Sequence, residues 1–314
     1  MTAARKRNRK PAFTLVELLV VVSIIALLLA ILMPSLRSAR DQAKAAICLA
    51  NMKRLGTGMA VYLNTSGDKF PPFRLKTYPL DPTPVTYVNH YGRSKPRWQW
   101  FIADNIGPVI NPGPFALPFG DGDTGSGGEG GRTMTNKYFL CPSLTGPDQY
   151  DVRNGAYGYN YQYLGNSRSD TDPTEYDNFS VSADHLPAAS QTVLLADSRG
   201  ADPKHGKHSY ALDPPRLAVE RNAARFSPGS GDLPDGGDPS LYQYSPAEMR
   251  HAGRAMVAFI DSHAEGMRLT DLGYEVNGQG VPLPVDPTAT PSYTASNKLW
   301  TGHGADPLSA AAQP

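Results

Sequence analysis

The stretch AFTLVELLVVVSIIALLLAILMPSL, residues 12–36, decides how the chain is read. Between Leu18 and Met33, Ser23 is the only polar residue. Counted from Phe13 to Met33, the run measures about 31 Å as a helix, enough to cross an average bilayer core. Arg5, Lys6, Arg7, Arg9 and Lys10 precede it with no acid among them. The run holds one carboxylate, Glu17. Ionised in hydrocarbon, a lone carboxylate costs about 3 kcal/mol or more, so it calls for a partner.

A cleaved secretory signal shares the basic start, but its apolar region is shorter and ends at a small-residue cleavage site. Here the run passes into PSLRSARDQAKAAICLANMKRLGTGMAVYL (34–63), which reads as more helix. The expectation is a retained membrane anchor at the inner membrane, spanning once, with the basic end cytoplasmic and the body exported. A new positive charge close to Glu17 would arise if the chain were cut between Ala12 and Phe13, because Phe13 would then carry a free amine.

On these residues the segment resembles the N-terminal cleavage and methylation region of type IV prepilins and type II secretion pseudopilins. The resemblance implies that a prepilin peptidase and methyltransferase removes residues 1–12 and methylates the amine of Phe13. It further implies that Glu17 pairs with a neighbouring subunit's N-terminus during filament assembly, and that Pro34 loosens the helix where the apolar run ends. Ala12 stands where that family generally has glycine. The implied partners are the peptidase, other pilin or pseudopilin subunits and an inner-membrane assembly platform.

Beyond Pro34, which is expected to kink the rod rather than end it, apolar Leu36, Ala39, Ala43, Ile47, Ala50, Leu55, Met59 and Tyr62 recur at spacings of three to five. That pattern predicts an amphipathic helix to about Tyr62, its stripe packed on the exported body. Gly56 and Gly58 weaken its last turns, and NTSGDKFPPF (64–73) stops it. The expected organisation is a leader over 1–12, a membrane helix over 13–33, its amphipathic continuation over 34–66, a head over 67–283 and a loose tail over 284–314. The fold class is α+β, pilin-like, with an antiparallel sheet packed on the distal half of the long helix.

The 314 residues carry a formal charge of +1, but the two ends differ. Setting aside the five basic residues of the leader leaves 25 basic against 29 acidic residues, or −4. A mildly acidic body gives no electrostatic case for nucleic acid. Glycine and proline together number 59, well above usual composition, which points to a loop-rich head with short strands. KYFLCPS (137–143) and QTVLLADSRG (191–200) read as strands, and RHAGRAMVAFIDSHAEGMRL (250–269) as a hairpin turning at Ser262–His263. Tyr157, Tyr159, Tyr161 and Tyr163 alternate as along one strand face. RWQWFIADNI (97–106) suits a strand or a short helix.

Cys48 and Cys141 are too few for a disulfide scaffold and too isolated in sequence for a structural zinc centre; they form one bridge in an oxidising compartment or stay two separate thiols, and both readings stand. Asp197, His251, Asp261 and His263 are a cluster that invites chemistry, as a structural pin, a site for a divalent ion or a base with its orienter. The glycine-rich loop over 111–131 places Asp121, Asp123, Ser126 and Glu129 in a partial calcium-loop pattern, with Gly125 and Arg132 breaking it. A flexible loop without an ion is the preferred reading, so no cofactor is firmly expected; Ca2+ or another divalent ion in the head is the alternative. Neither GxSxG nor HExxH occurs. The 250–265 segment also resembles the C-terminal His–nine residues–Asp-Gly motif of prepilin-like proteins of planctomycete and verrucomicrobial bacteria. His251 and Asp261 match it, and Ser262 replaces the glycine. The reading is thus a non-enzymatic subunit of a secretion or pilus-like filament. A membrane-anchored surface binding protein and an anchored hydrolase are its rivals.

Overall fold

The computed structural model describes residues 14–73, 98–106, 136–144, 156–168, 176–178, 181–198, 211–217, 244–283, 285 and 293–307. The chain divides into two compact units, Met1–Ala43 and Lys44–Pro314. Helix α1, Leu15–Thr65, runs through 51 residues, about 76 Å of rise. In the first unit every side chain from Thr14 to Ala43 is exposed, including the whole apolar run Leu15–Met33. The hydroxyls of that stretch are satisfied locally: Ser23 donates to the Val20 carbonyl at 2.7 Å and Ser35 to that of Leu32 at 2.8 Å. Pro34 sits inside the helix without ending it; lacking an N–H, it leaves the Ala30 carbonyl without its usual donor.

In the second unit the last turns of α1 enter the core. Cys48, Met52, Leu55, Met59 and Leu63, spaced three or four apart, are buried. The expected stripe was broader and began earlier, whereas Leu36 and Ile47 are exposed. The step of five from Ala50 to Leu55 explains the difference. It turns the apolar face by about 140° at 3.6 residues per turn, so the two halves of the pattern belong to different faces. Gly56 and Gly58 lie on the buried side. A Cβ at Gly58 would sit 2.6 Å from Cγ2 of Ile106, so this glycine lets helix α2, Trp98–Ile106, approach closely.

The head sheet has four antiparallel strands in the order β1-β4-β5-β6. They are β1, Tyr157–Tyr159; β4, Val193–Asp197; β5, Ala255–Phe259; and β6, Ala264–Met267. The central pair, VLLAD and AMVAF, is buried at every position, as a sheet covered on both faces requires. Asp197 faces Tyr157 across one ladder, and Ala255 faces Met267 across another. Strands β2, Asn166–Arg168, and β3, Tyr176–Asn178, form a separate two-stranded sheet. The architecture is α+β and consistent with a pilin-like fold.

The hairpin and the 191–200 strand form as expected, and RWQWFIADNI resolves as helix. Three expectations do not hold. KYFLCPS is not a strand: Lys137–Phe139 is a 3-10 turn, capped by the Asn136 side chain accepting from the Tyr138 N–H. The tyrosine alternation stops at Asn160, whose side chain donates to the carbonyls of Val193 and Trp300. After it, Tyr161–Leu164 forms one helical turn, α3. The tail is not loose over 293–307. Trp300 is fully buried and donates from Nε1 to the Leu272 carbonyl at 2.9 Å, and the Leu299 carbonyl accepts from the Val193 N–H at 2.8 Å. Arg216, also fully buried, pairs with Asp306. The stretch 111–131 lies outside the described residues.

Ser262, in the turn between β5 and β6, adopts φ +69°. Left-handed backbone costs an L-residue about 1–2 kcal/mol, while glycine gives back about 0.4–1 kcal/mol in unfolded-chain entropy. Ser262→Gly is therefore expected to raise head stability by up to about 1 kcal/mol. Trp300→Ala should cost about 3–5 kcal/mol, as expected for a large buried ring. Denaturant unfolding of the detergent-solubilised full chain reads both, and a Trp300→Ala change without effect would show that the C-terminal segment is not part of the core.

Candidate functional site

Two places concentrate chemistry. The first is the start of α1. Thr14 donates to the Glu17 carboxylate through its backbone N–H at 2.9 Å and its hydroxyl at 2.7 Å, and its hydroxyl oxygen accepts from the Glu17 N–H at 3.2 Å. This is a reciprocal capping box, which satisfies donors that a helix start leaves open. Glu17 thus has a partner inside its own chain, which the reading of the sequence did not provide for. The Thr-x-x-Glu spacing ahead of an apolar run was the available signal. Ala12 and Phe13 lie outside the described residues.

The second place is wholly within the head. Four segments far apart in sequence converge: Cys48 from α1, Cys141 from the turn after the 3-10 helix, Asp197 at the end of β4 and His251 just before β5. All four are buried, and their donor atoms lie within 4.8 Å of one another. The two Sγ atoms are 3.2 Å apart and unbonded. Cys141 Sγ is 3.5 Å from His251 Nε2, which is 3.5 Å from Asp197 Oδ2. Cys48 Sγ lies 3.7 Å from Asp197 Oδ1.

A surrounding set of groups orients these four. The Ser143 hydroxyl is 3.3 Å from His251 Nδ1, leaving Nε2 turned to the sulfurs. The Tyr157 hydroxyl is 3.0 Å from Cys48 Sγ. Asp197 accepts from the Met256 N–H at 2.8 Å and from Arg250 Nη1 at 3.3 Å. Arg250 in turn is held by Glu248 at 2.7 Å and by the carbonyls of Ala156 and Ser198. Asn51 donates to the Leu140 carbonyl at 3.1 Å, tying α1 to the Cys141 turn.

Burial pushes the Asp197 carboxyl up to about 6, with Arg250 pulling the other way. The hydrogen bond from Cys48 holds the Cys141 thiol well below the usual thiol range, aided by His251 and Arg250. Accordingly Cys48 keeps its proton and moves up, through that same bond and its burial.

The expected cluster of Asp197, His251, Asp261 and His263 therefore divides. Asp261, exposed, and His263, half-buried with its ring stacked on Phe259, sit in the β5–β6 turn, paired with each other at 2.5 Å and apart from the buried group. The reason is the length of β5: five residues of strand separate His251 from Asp261, placing them at opposite ends. The missed partners were the cysteines, since no local spacing links residues 48 and 141 to the β4–β5 region. The arrangement also differs from a nucleophile–base–acid relay, in which the acid holds the imidazole nitrogen remote from the nucleophile. Here Asp197 and Cys141 meet the same Nε2, and the site is closed to substrate.

Residues 7–33 match the family model described as the prokaryotic N-terminal methylation motif. The match supports a type IV pilin-like protein. It spans 27 of the 314 residues and says nothing of the head. No curated protein and no solved structure is similar to the chain at a significant level. Among the described residues, α1 is long and apolar enough to cross a membrane; with the motif it makes a single-pass, membrane-anchored protein.

Arg250→Ala strips the buried Asp197 of its cation, and loss of one partner of a buried pair typically costs about 3–5 kcal/mol. Arg254→Ala, at an exposed position, should cost far less. Equal denaturation midpoints for the two variants would remove Arg250 from the support of the cluster.

Proposed function

We propose that the chain is a pilin-like filament subunit of a type II secretion or type IV pilus-like assembly, built to leave the membrane along its helix. The observation that carries this reading is the coincidence of the methylation motif with a helix whose apolar face is uncovered from Leu15 to Met33. Lipid covers that surface in the precursor. Neighbouring helices cover it in a filament.

In this reading the basic leader stays cytoplasmic and the head is exported. A prepilin peptidase cuts between Ala12 and Phe13 and methylates the Phe13 amine. The capping box holds the Glu17 carboxylate at the helix N-terminus, where helix dipole and exposed N–H groups favour an anion. A neighbour's amine approaching there meets a carboxylate already oriented, in surroundings of low dielectric that strengthen the pair. The large head suits a minor or capping subunit.

N-terminal analysis of the protein recovered from a host with a prepilin peptidase tests the first step. The expected product begins at Phe13 with an N-methyl group. Recovery of the intact leader would overturn the reading and leave a tethered surface protein. Glu17→Ala should be cleaved normally yet be depleted from sheared filaments relative to the wild type.

A further inference from the structure

We propose that Cys48, Cys141, Asp197 and His251 form a four-coordinate site for a zinc-class divalent cation, which fastens the distal part of α1 to the head sheet. Each residue offers one donor atom, and the four come from four separate segments. A tetrahedral zinc centre with bonds of about 2.3 Å to sulfur and 2.0 Å to nitrogen or oxygen has donor–donor edges of about 3.8 Å for S···S, 3.5 Å for S···N or S···O and 3.3 Å for N···O. With Asp197 Oδ1 as the oxygen donor, three of the six edges are in hand: 3.2 Å between the sulfurs, 3.5 Å from Cys141 to His251 and 3.7 Å from Cys48 to Asp197, while His251 lies 3.5 Å from the second oxygen of the same carboxylate. The sulfurs need to move apart by about half an ångström, and the remaining donor pairs all lie within 4.8 Å.

The chemistry of the donors selects the ion. Thiolate and imidazole suit zinc, whereas calcium and magnesium take oxygen. Binding takes both sulfurs as thiolates, any thiol proton leaving to solvent as the two metal–sulfur bonds form. Two thiolates and one carboxylate around a dication leave one negative charge. Arg250, 3.3 Å from Asp197, lies where it offsets that charge. The outer groups fit the same assignment. Ser143 on Nδ1 fixes the imidazole with Nε2 toward the centre, and Tyr157 directs its hydroxyl at Cys48. Such partners characteristically orient metal ligands.

A disulfide between Cys48 and Cys141 is the competing use of the same sulfurs. It would account for two of the four groups and leave the aim of His251 and Asp197 at them unexplained. Four protein ligands and complete burial make the site structural, with no open position for a substrate.

The test uses the full chain in detergent, purified with its thiols reduced. Elemental analysis after zinc addition and gel filtration should give one zinc per chain. Cobalt(II) should give the visible bands of a tetrahedral ion together with thiolate-to-metal charge transfer in the near ultraviolet. Cys141→Ser and His251→Ala should each lose the charge-transfer band or weaken zinc retention at least tenfold. Asp261→Ala and His263→Ala, in the β5–β6 turn, should retain one equivalent and serve as folded controls. Should the ligand variants fail to fold, wild-type chain carries the test alone: thermal unfolding with zinc must lie above unfolding with a chelator. A chain that binds no zinc with free thiols, takes calcium in its place, or is isolated from its native compartment with Cys48 and Cys141 oxidised to each other, overturns the proposal.

Discussion

One helix has to satisfy two solvents. From Leu15 to Met33 α1 offers apolar side chains all round, none of them covered within the described residues, and from Cys48 to Leu63 it offers a single stripe filled by the head. Full apolarity is what hydrocarbon or a bundle of like helices requires, and a stripe is what a water-bathed head requires. Hydroxyls in the apolar half are turned onto their own backbone, and the one acid is retained at the very end, where the helix start itself supplies donors. Little else about the first unit needs explaining once that is granted.

Much of this was legible in the residues. A run with one serine and one glutamate in its length is unambiguous in period and hydropathy. The strands QTVLLAD and AMVAFID announce themselves by β-branched and aromatic content between turn residues. What misled were patterns whose local period was real but whose context was not. Tyr157 to Tyr163 alternate, yet Asn160 hydrogen bonds to the carbonyls of Val193 and Trp300 and diverts the chain into a turn of helix. Polar tail residues concealed Trp300, because a composition rich in proline and serine hides a single buried ring. Gly56 and Gly58 read only as weak points in the last turns of the helix, although Gly58 marks a close approach to Ile106.

The buried cluster was half legible. His251 and Asp197 could be picked out as chemistry-bearing groups at strand ends, and Asp261 and His263 shared that signature. Strand length separates them: a residue before β5 and one after it cannot meet across five residues of extended chain. The cysteines could not be assigned to the cluster, since only the folded chain brings the 3-10 turn at Lys137–Phe139 against α1. Long-range convergence of this kind leaves no periodic trace.

The docking of the C-terminal segment bears on when the head can finish folding. The first backbone bond of β4 is accepted by Leu299, and the carbonyl of Trp300 receives the side chain of Asn160. A polypeptide made from its N-terminus delivers these two acceptors after all four strands of the sheet. Until then the sheet's central strand lacks its opening contact, and the unfinished head stays open to a chaperone or a protease. Closure of the core thereby waits on a segment that itself adds no strand to the sheet.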